Sequence, residues 1–100
     1  MEGFAVTDYY DKIRPDIKES LDAYVAMGRP TGGFLEAVLC NNLMEAVGRA
    51  DPYNLGTLHQ ICGYVYNEIP GNCHGSPEIV RAWYDLKRSE RENAAELRGD

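Results

Sequence analysis

The residues of this sequence that could do chemistry are its cysteines and histidines. Cys73 and His74 stand side by side in a glycine-bounded loop, and a thiol beside an imidazole can form a nucleophilic pair. Adjacent side chains usually point apart, however, and the sequence offers no obvious histidine and acid to complete a triad with Cys40 or Cys62. We therefore predict no catalytic residues and no enzymatic activity.

A zinc site is the second chemical alternative. His59 and Cys62 are three residues apart on a predicted helix, and with Cys73 and His74 they would supply four ligands. The spacing is not that of a strong zinc motif, and Cys62 recurs in register with apolar residues that indicate a core position. We predict neither a metal nor a cofactor.

Three cysteines are an odd number for a disulfide framework, so reduced thiols are expected.

Nucleic-acid binding is disfavoured by charge. Sixteen acidic against ten basic residues give a net charge of -6, which repels the phosphate backbone. Two helices around Asn41 and after Asp51 could imitate a helix-turn-helix, but no lysine or arginine occurs from Pro52 to Pro70. We therefore predict a protein partner with a basic surface and no direct contact with nucleic acid.

Length and composition indicate one globular domain. The chain has 100 residues, of which 44% are hydrophobic and 26% charged, the balance of an ordinary folded protein. The apolar run at residues 37–40 is far too short to cross a bilayer, and residues 1–10 lack the features of a secretory signal. We expect a cytoplasmic protein with a domain over residues 1–88 and a charged, frayed or exposed helical tail over 89–100.

Helix start and stop signals predict an all-α fold, a compact bundle of four to five short helices. Pro15 should begin the first helix, which should end before Gly28. Thr31 is expected to cap the second, apolar and central helix, which breaks at Asn41-Asn42. Tyr9 and Tyr10, with Phe4, are expected to pack back on the core.

The second half of the chain carries equally clear signals. Asn42 should cap a short helix with Leu43, Ala46 and Val47 facing inward, and Glu45 and Arg49 pairing outside. Asp51-Pro52 should open the longest helix, which continues to Pro70. Its expected core face is Leu55, Leu58, Cys62, Val65 and Ile69. Ser76-Pro77-Glu78 should open the last helix, whose expected core face is Ile79, Val80, Trp83 and Leu86.

The outer face of the predicted longest helix is the candidate partner-binding site. Gly56, Gln60 and Gly63, with Asn67, form a strip with little side-chain volume. Tyr53 and Tyr64 edge it on one side, and His59 and Tyr66 edge it on the other. Tyrosine is enriched at protein interfaces, and another backbone could approach such a strip closely. The alternatives are that another helix of the domain fills the strip or that the glycines are merely tolerated.

Three acids on the first helix, Asp16, Glu19 and Asp22, are added to the candidate site as contacts for a basic partner. A solvated helix face is the ordinary explanation of such a cluster, and a stripe that mimics nucleic acid is the sharper one.

Three stretches carry a resemblance: PTGGFLEAVL at residues 30–39, YNEIP at 66–70, and GSPE at 75–78 leading to Trp83. Over residues 13–87 the chain resembles a group of short bacteriophage and mobile-element proteins with no settled activity. Anti-CRISPR proteins are similar in size, acidity and lack of motifs. The resemblance implies a stoichiometric binder of a bacterial host protein or complex, such as an inhibitor of host defence. The alternative is a self-associating accessory protein, a homodimer for example, with no inhibitory role.

Overall fold

The computed structural model describes residues 9–97, and the side chains of residues 9–95. In this range 77% of the residues are helical and none forms a strand, which confirms the all-α prediction. Residues 9 and 10 are helical, and Phe4, which was expected to pack on the core with them, lies outside the described residues. The α-helices that follow are α1 (Pro15–Met27), α2 (Gly33–Leu39), α3 (Leu43–Arg49), α4 (Pro52–Gly56), α5 (Leu58–Glu68) and α6 (Pro77–Leu97), with a 3-10 turn at Gly71–Cys73.

Most of the predicted helix boundaries are confirmed by their caps. The side chains of Asn42, Asp51 and Ser76 each accept a hydrogen bond from the backbone amide three residues on, at 3.3, 2.7 and 3.2 Å. Gly28 ends α1 in the left-handed region at φ 71°, and its amide donates to the Tyr24 carbonyl oxygen at 2.8 Å. These signals are local, which is why the sequence alone was enough to find them.

The start of α2 differs from the prediction. Thr31 does not cap this helix; Gly32 stands at the N-cap position with φ 90°, and α2 begins at Gly33. Few side chains adopt such a backbone conformation, so the turn needs a glycine there, and glycine has no side chain to cap with.

The predicted longest helix is two helices, α4 and α5, separated at Thr57. Thr57 leaves helical geometry at φ -113°, and its hydroxyl donates to the Tyr53 carbonyl oxygen at 3.1 Å. A threonine hydroxyl that bonds to the preceding turn favours a bend, and Gly56 beside it is a poor helix former. The predicted core face is confirmed in part: Val65 and Ile69 are buried and Leu58 is half buried, as expected. Leu55 and Cys62 are exposed, and Ile61 is buried instead.

The predicted inward face of α3 is also wrong in part. Ala46 is buried, but Leu43 is 60% exposed and Val47 is also exposed. The reason is the position of α3, which packs on α2 rather than on the main core. Small residues, Ala37 on α2 and Ala46 on α3, are buried where the two helices meet, so only a narrow stripe of α3 is covered.

The core centres on Tyr24, whose side chain is completely buried. Its hydroxyl donates to the carbonyl oxygen of Cys73 at 2.6 Å, and its own carbonyl oxygen accepts from Trp83 Nε1 at 2.9 Å. The Tyr84 ring meets the Tyr24 ring edge to face, with 5.4 Å between centroids. Burial raises the pKa of the Tyr24 phenol far above its ordinary value, so the hydroxyl remains a donor. One side chain thus joins α1 to the 71–76 loop and to α6.

Helix α6 continues beyond the core to Leu97, and residues 88–95 are exposed along it. The predicted domain boundary at residue 88 falls inside this continuous helix. Two contacts hold α6 to the end of α1: the Arg91 guanidinium donates to the Met27 carbonyl oxygen, and Lys87 passes close to Gly28, where an added Cβ would lie 2.6 Å from the Lys87 Cβ. Of the helices within residues 9–97, none has the length and apolar character needed to cross a bilayer.

Replacing Tyr24 by phenylalanine should lower the free energy of unfolding by about 1 to 3 kcal/mol, because the buried Cys73 carbonyl oxygen loses its donor. The matched control is Tyr53→Phe, which removes a hydroxyl hydrogen bond of 2.7 Å at an exposed site and should cost less than about 0.5 kcal/mol. Urea unfolding followed by circular dichroism measures both. An equal decrease in the free energy of unfolding in the two variants would show that the buried Tyr24 hydrogen bond stabilises the fold no more than the exposed one of Tyr53.

Candidate protein-binding surfaces

The predicted strip is partly covered by the N-terminal tyrosines. A Cβ added at Gly63 would lie 3.2 Å from Tyr9 Cε2 and 3.9 Å from Tyr10 Cε1. The Tyr10 hydroxyl also donates to the Gly63 carbonyl oxygen at 3.4 Å. Gly63 thus makes room for an aromatic cover supplied by the same chain, and its part in partner binding stays a prediction.

That cover is a small aromatic cluster on α5. The Tyr9 hydroxyl lies 2.7 Å from His59 Nε2, and their rings meet edge to face at 5.1 Å. Tyr10 packs its ring against Tyr64 in the same manner, also at 5.1 Å, and accepts a hydrogen bond from Asn67 Nδ2 at 3.3 Å. The expectation that Tyr9 and Tyr10 pack back on the domain is confirmed.

The remaining strip residues are divided between two helices, Tyr53 and Gly56 on α4 and Gln60 on α5. Tyr53 is half exposed, and its hydroxyl donates to the Lys12 carbonyl oxygen at 2.7 Å. Gly56 is open, with nothing within 4 Å of an added Cβ, but it belongs to α4. Gln60 is half buried on α5. Because the chain breaks at Thr57, these residues do not form one continuous shelf.

The predicted acidic contacts are interleaved with cations. Arg14 lies 2.8 Å from Asp16 and 3.0 Å from Asp51, and it links the start of α1 to the start of α4. Its hydrogen bond lowers the pKa of the Asp16 carboxyl. The pKa of Asp51 is lowered first by the Asn54 amide that it caps and then by Arg14. Asp16 is thus engaged within the fold.

Asp22 and Tyr64 are the two predicted site residues that the structure brings together. The Tyr64 hydroxyl donates to Asp22 Oδ1 at 3.4 Å, and Lys18 Nζ lies 5.9 Å from the Tyr64 ring centroid. Glu19 is exposed on the same helix. Lys18 therefore interrupts the acidic stripe, and the exposed carboxylates of Glu19 and Asp22 are the part of it that can still meet a basic partner.

An apolar groove on the other side of α5 was missed from the sequence. It has a volume of about 410 Å³ and lies between α2, α5 and the loop at 74–75; the lining includes Val38, Cys62, Val65 and Tyr66. The amide of Gly75 donates to the Leu39 carbonyl oxygen at 2.7 Å, which fixes the loop wall of the groove. Tyr66, at the rim, is 80% exposed.

Helix α3, which begins two residues after the groove residue Asn41, has an uncovered apolar face of its own. Leu43, 78%-exposed Met44 and Val47 lie within about 100° of one another around the helix. The ion pair of Glu45 and Arg49, 2.7 Å apart, occupies the opposite side of α3. We call Leu43, Met44, Val47, Tyr66 and the groove residues Val38 and Cys62 the α3–α5 apolar surface.

A signal in the sequence could have pointed to this surface. Leu43, Met44, Ala46 and Val47 occupy four of the seven positions of α3, too wide an apolar arc for a short helix to bury against one neighbour. The sequence does not say, however, which part of the arc stays open.

The three cysteine thiols share one electrostatic property. Burial raises the pKa of the Cys40, Cys62 and Cys73 thiols, which holds them in the protonated and less nucleophilic form. Among the described residues, no three histidine, cysteine or acidic side chains converge as metal ligands would. His59 instead contacts Tyr9. Cys62 contributes its side chain to the wall of the groove.

Replacing Gly63 by leucine should lower the free energy of unfolding by about 1 to 3 kcal/mol, because the new side chain must displace Tyr9 and Tyr10. At Gly56 nothing lies within 4 Å of an added Cβ, so the same substitution there should change stability by less than about 0.5 kcal/mol. Thermal unfolding of the two variants measures the difference. Wild-type stability in Gly63→Leu would mean that Tyr9 and Tyr10 do not rest on this glycine.

Comparison with models of protein families, with curated proteins and with solved structures finds no match to this chain.

Proposed function

We propose that this chain is a non-catalytic protein-binding module and that the α3–α5 apolar surface is its main contact. Two observations carry the proposal: the exposed apolar face of α3, formed by Leu43, Met44 and Val47, and the apolar groove that has exposed Tyr66 at its rim. The exposed area of these four side chains is on the order of 400 Å², a patch size that often marks an interaction site. The groove adds the concave shape into which a partner's side chain can pack.

The acidic face of α1 has a second and separate role in the proposal. Tyr64, which contacts Asp22, and Tyr66, at the groove, are two positions apart on α5 and therefore point to sides that differ by about 200°. Glu19 and Asp22 thus lie away from the apolar surface. Carboxylates placed outside the contact steer a basic partner and raise the association rate more than the affinity.

The proposed biological role follows from the sequence resemblance. We propose stoichiometric binding to a bacterial host protein or complex with a basic surface, in the bacterial cytoplasm, as an inhibitor of host defence of the anti-CRISPR kind. Self-association is the second candidate, and the uncharged, exposed face of α3 favours it.

The contact surface is tested by capture from bacterial lysate with tagged wild type and with Tyr66→Ala and Met44→Ala. Both variants should retain the wild-type circular dichroism, because these side chains are largely exposed, yet lose most of the captured protein. Leu86→Ala is the matched control, since Leu86 is a large apolar side chain 45% exposed on α6. Equal capture by all four proteins would place the contact elsewhere.

Charge reversal tests the steering role on whichever protein is captured. Glu19→Lys combined with Asp22→Lys should slow association and flatten its dependence on salt, while the dissociation rate changes little. Asp16→Asn is the control, because Asp16 is already engaged by Arg14 and should contribute little to steering. Surface plasmon resonance at several salt concentrations separates the two rates. An unchanged association rate in the double variant would show that Glu19 and Asp22 do not steer the partner.

A further inference from the structure

We propose that the apolar groove binds a segment of its own chain, residues 4–6, with the Phe4 ring as the group that fills it. The proposal names how the groove is regulated and rests on the proposed function, because a bound segment would compete with a protein partner. Residues 4–6 lie outside the described residues. Three features of the part that the structure describes point to them: the path of the chain around α5, the distance to be spanned and the apolar lining of the groove.

The first feature is the path of the chain around α5. Tyr10 packs its ring on Tyr64, with 5.1 Å between the centroids. Tyr9 comes one residue earlier, and its hydroxyl lies 2.7 Å from His59 Nε2. At about 100° per residue, His59 is about 140° around the α5 axis from Tyr64, and the groove residue Cys62 is about 60° further in the same direction. Going back along the chain from Tyr10 to Tyr9 therefore leads around α5 towards the groove.

The second feature is the short distance to be spanned. His59 and Cys62 are three residues apart on α5, which places their Cβ atoms about 5 to 6 Å apart. Phe4 precedes Tyr9 by five residues, and that length of chain spans up to about 17 Å. Phe4 can therefore reach Cys62 while Tyr9 stays on His59. Because the segment is tethered there, its effective concentration at the groove is on the order of millimolar, an advantage that no separate partner has.

The third feature is the match between the groove and the segment. The groove has a volume of about 410 Å³, enough for an aromatic ring, and its lining includes Val38 and Val65. Tyr66 at the rim can meet such a ring edge to face. Residues 3–7 carry no charge, and Phe4 is the one aromatic residue among them. The segment thus offers the groove an uncharged stretch with a single large apolar side chain.

Binding of Phe4 would reduce the fraction of molecules whose groove is open to a partner. The apparent dissociation constant of the partner then rises in proportion, since the partner binds the open form. Removing the Phe4 ring should therefore strengthen capture of the partner, whereas removing the Tyr66 ring should weaken it. The opposite directions of the two effects distinguish a regulatory segment from a further part of the contact.

Alkylation of Cys62 tests the binding of Phe4 without a partner. Iodoacetamide is added to wild type, Phe4→Ala and Glu2→Ala, and mass spectrometry follows each cysteine. Cys62 lines the groove, so Phe4→Ala should raise its alkylation rate at least about threefold, because the covered fraction is lost. Glu2→Ala should leave that rate unchanged. Cys73, which is completely buried, is the internal control for loss of the fold. Equal Cys62 rates in wild type and Phe4→Ala, or a matching rise at Cys73, would overturn the proposal.

This proposal and the proposed function fail in different ways. If the Cys62 rate does not respond to Phe4→Ala but lysate capture is lost in Tyr66→Ala, the groove binds a partner and only the binding of Phe4 is wrong. If the rate rises but capture does not depend on Tyr66, Phe4 covers the groove and the proposed function is wrong. If the rate rises and Phe4→Ala captures less protein than wild type, Phe4 belongs to the contact and its regulatory role is wrong.

Discussion

The buried hydroxyl of Tyr24 is the interaction on which the rest of the arrangement depends. It lies where α1, the 71–76 loop and α6 meet, and it gives the Cys73 carbonyl oxygen a donor that water cannot supply there. The backbone of the same residue accepts the Trp83 indole, so α6 is held at this point too. A buried carbonyl without a partner is costly, which makes this contact a constraint on the position of the loop.

The position of this loop determines one wall of the apolar groove. Cys73 is fixed by Tyr24, and two residues later Gly75 donates to the end of α2 at Leu39. His74 and Gly75 then form one wall of the groove, opposite Tyr66 on α5. These two hydrogen bonds hold the loop wall of the proposed binding surface in place before a partner arrives, which would lower the entropy lost on binding.

Features that depend on residues close together in the chain could be predicted from the sequence. Features that depend on contacts between distant residues could not. Caps at Asn42, Asp51 and Ser76 depend on residues three apart, and all three were predictable. The cover on Gly63 depends on a contact between residues more than fifty positions apart, which one sequence does not reveal.

The outward face of α3 shows the same division. The apolar pattern correctly indicates a helix, but whether Leu43 or Ala46 faces inward is decided by the side on which α2 lies. The break at Thr57 is a second feature that the apolar pattern did not reveal, and it divides the predicted strip. Leu55 and Leu58 have helical spacing, so the pattern runs through a residue whose hydroxyl ends the helix, and the predicted strip combined residues of two helices.

The central claim is that the α3–α5 apolar surface is the place where this chain meets another protein, and methionine methyl NMR tests it most directly. Met44 lies on that surface, and Met27, which is 43% exposed at the end of α1, is an internal control. On raising the protein concentration, or on adding a captured partner, the Met44 methyl signal should shift or broaden while that of Met27 stays unchanged. A Met44 signal that stays fixed while Met27 moves, or while association is shown by other means, would contradict the account.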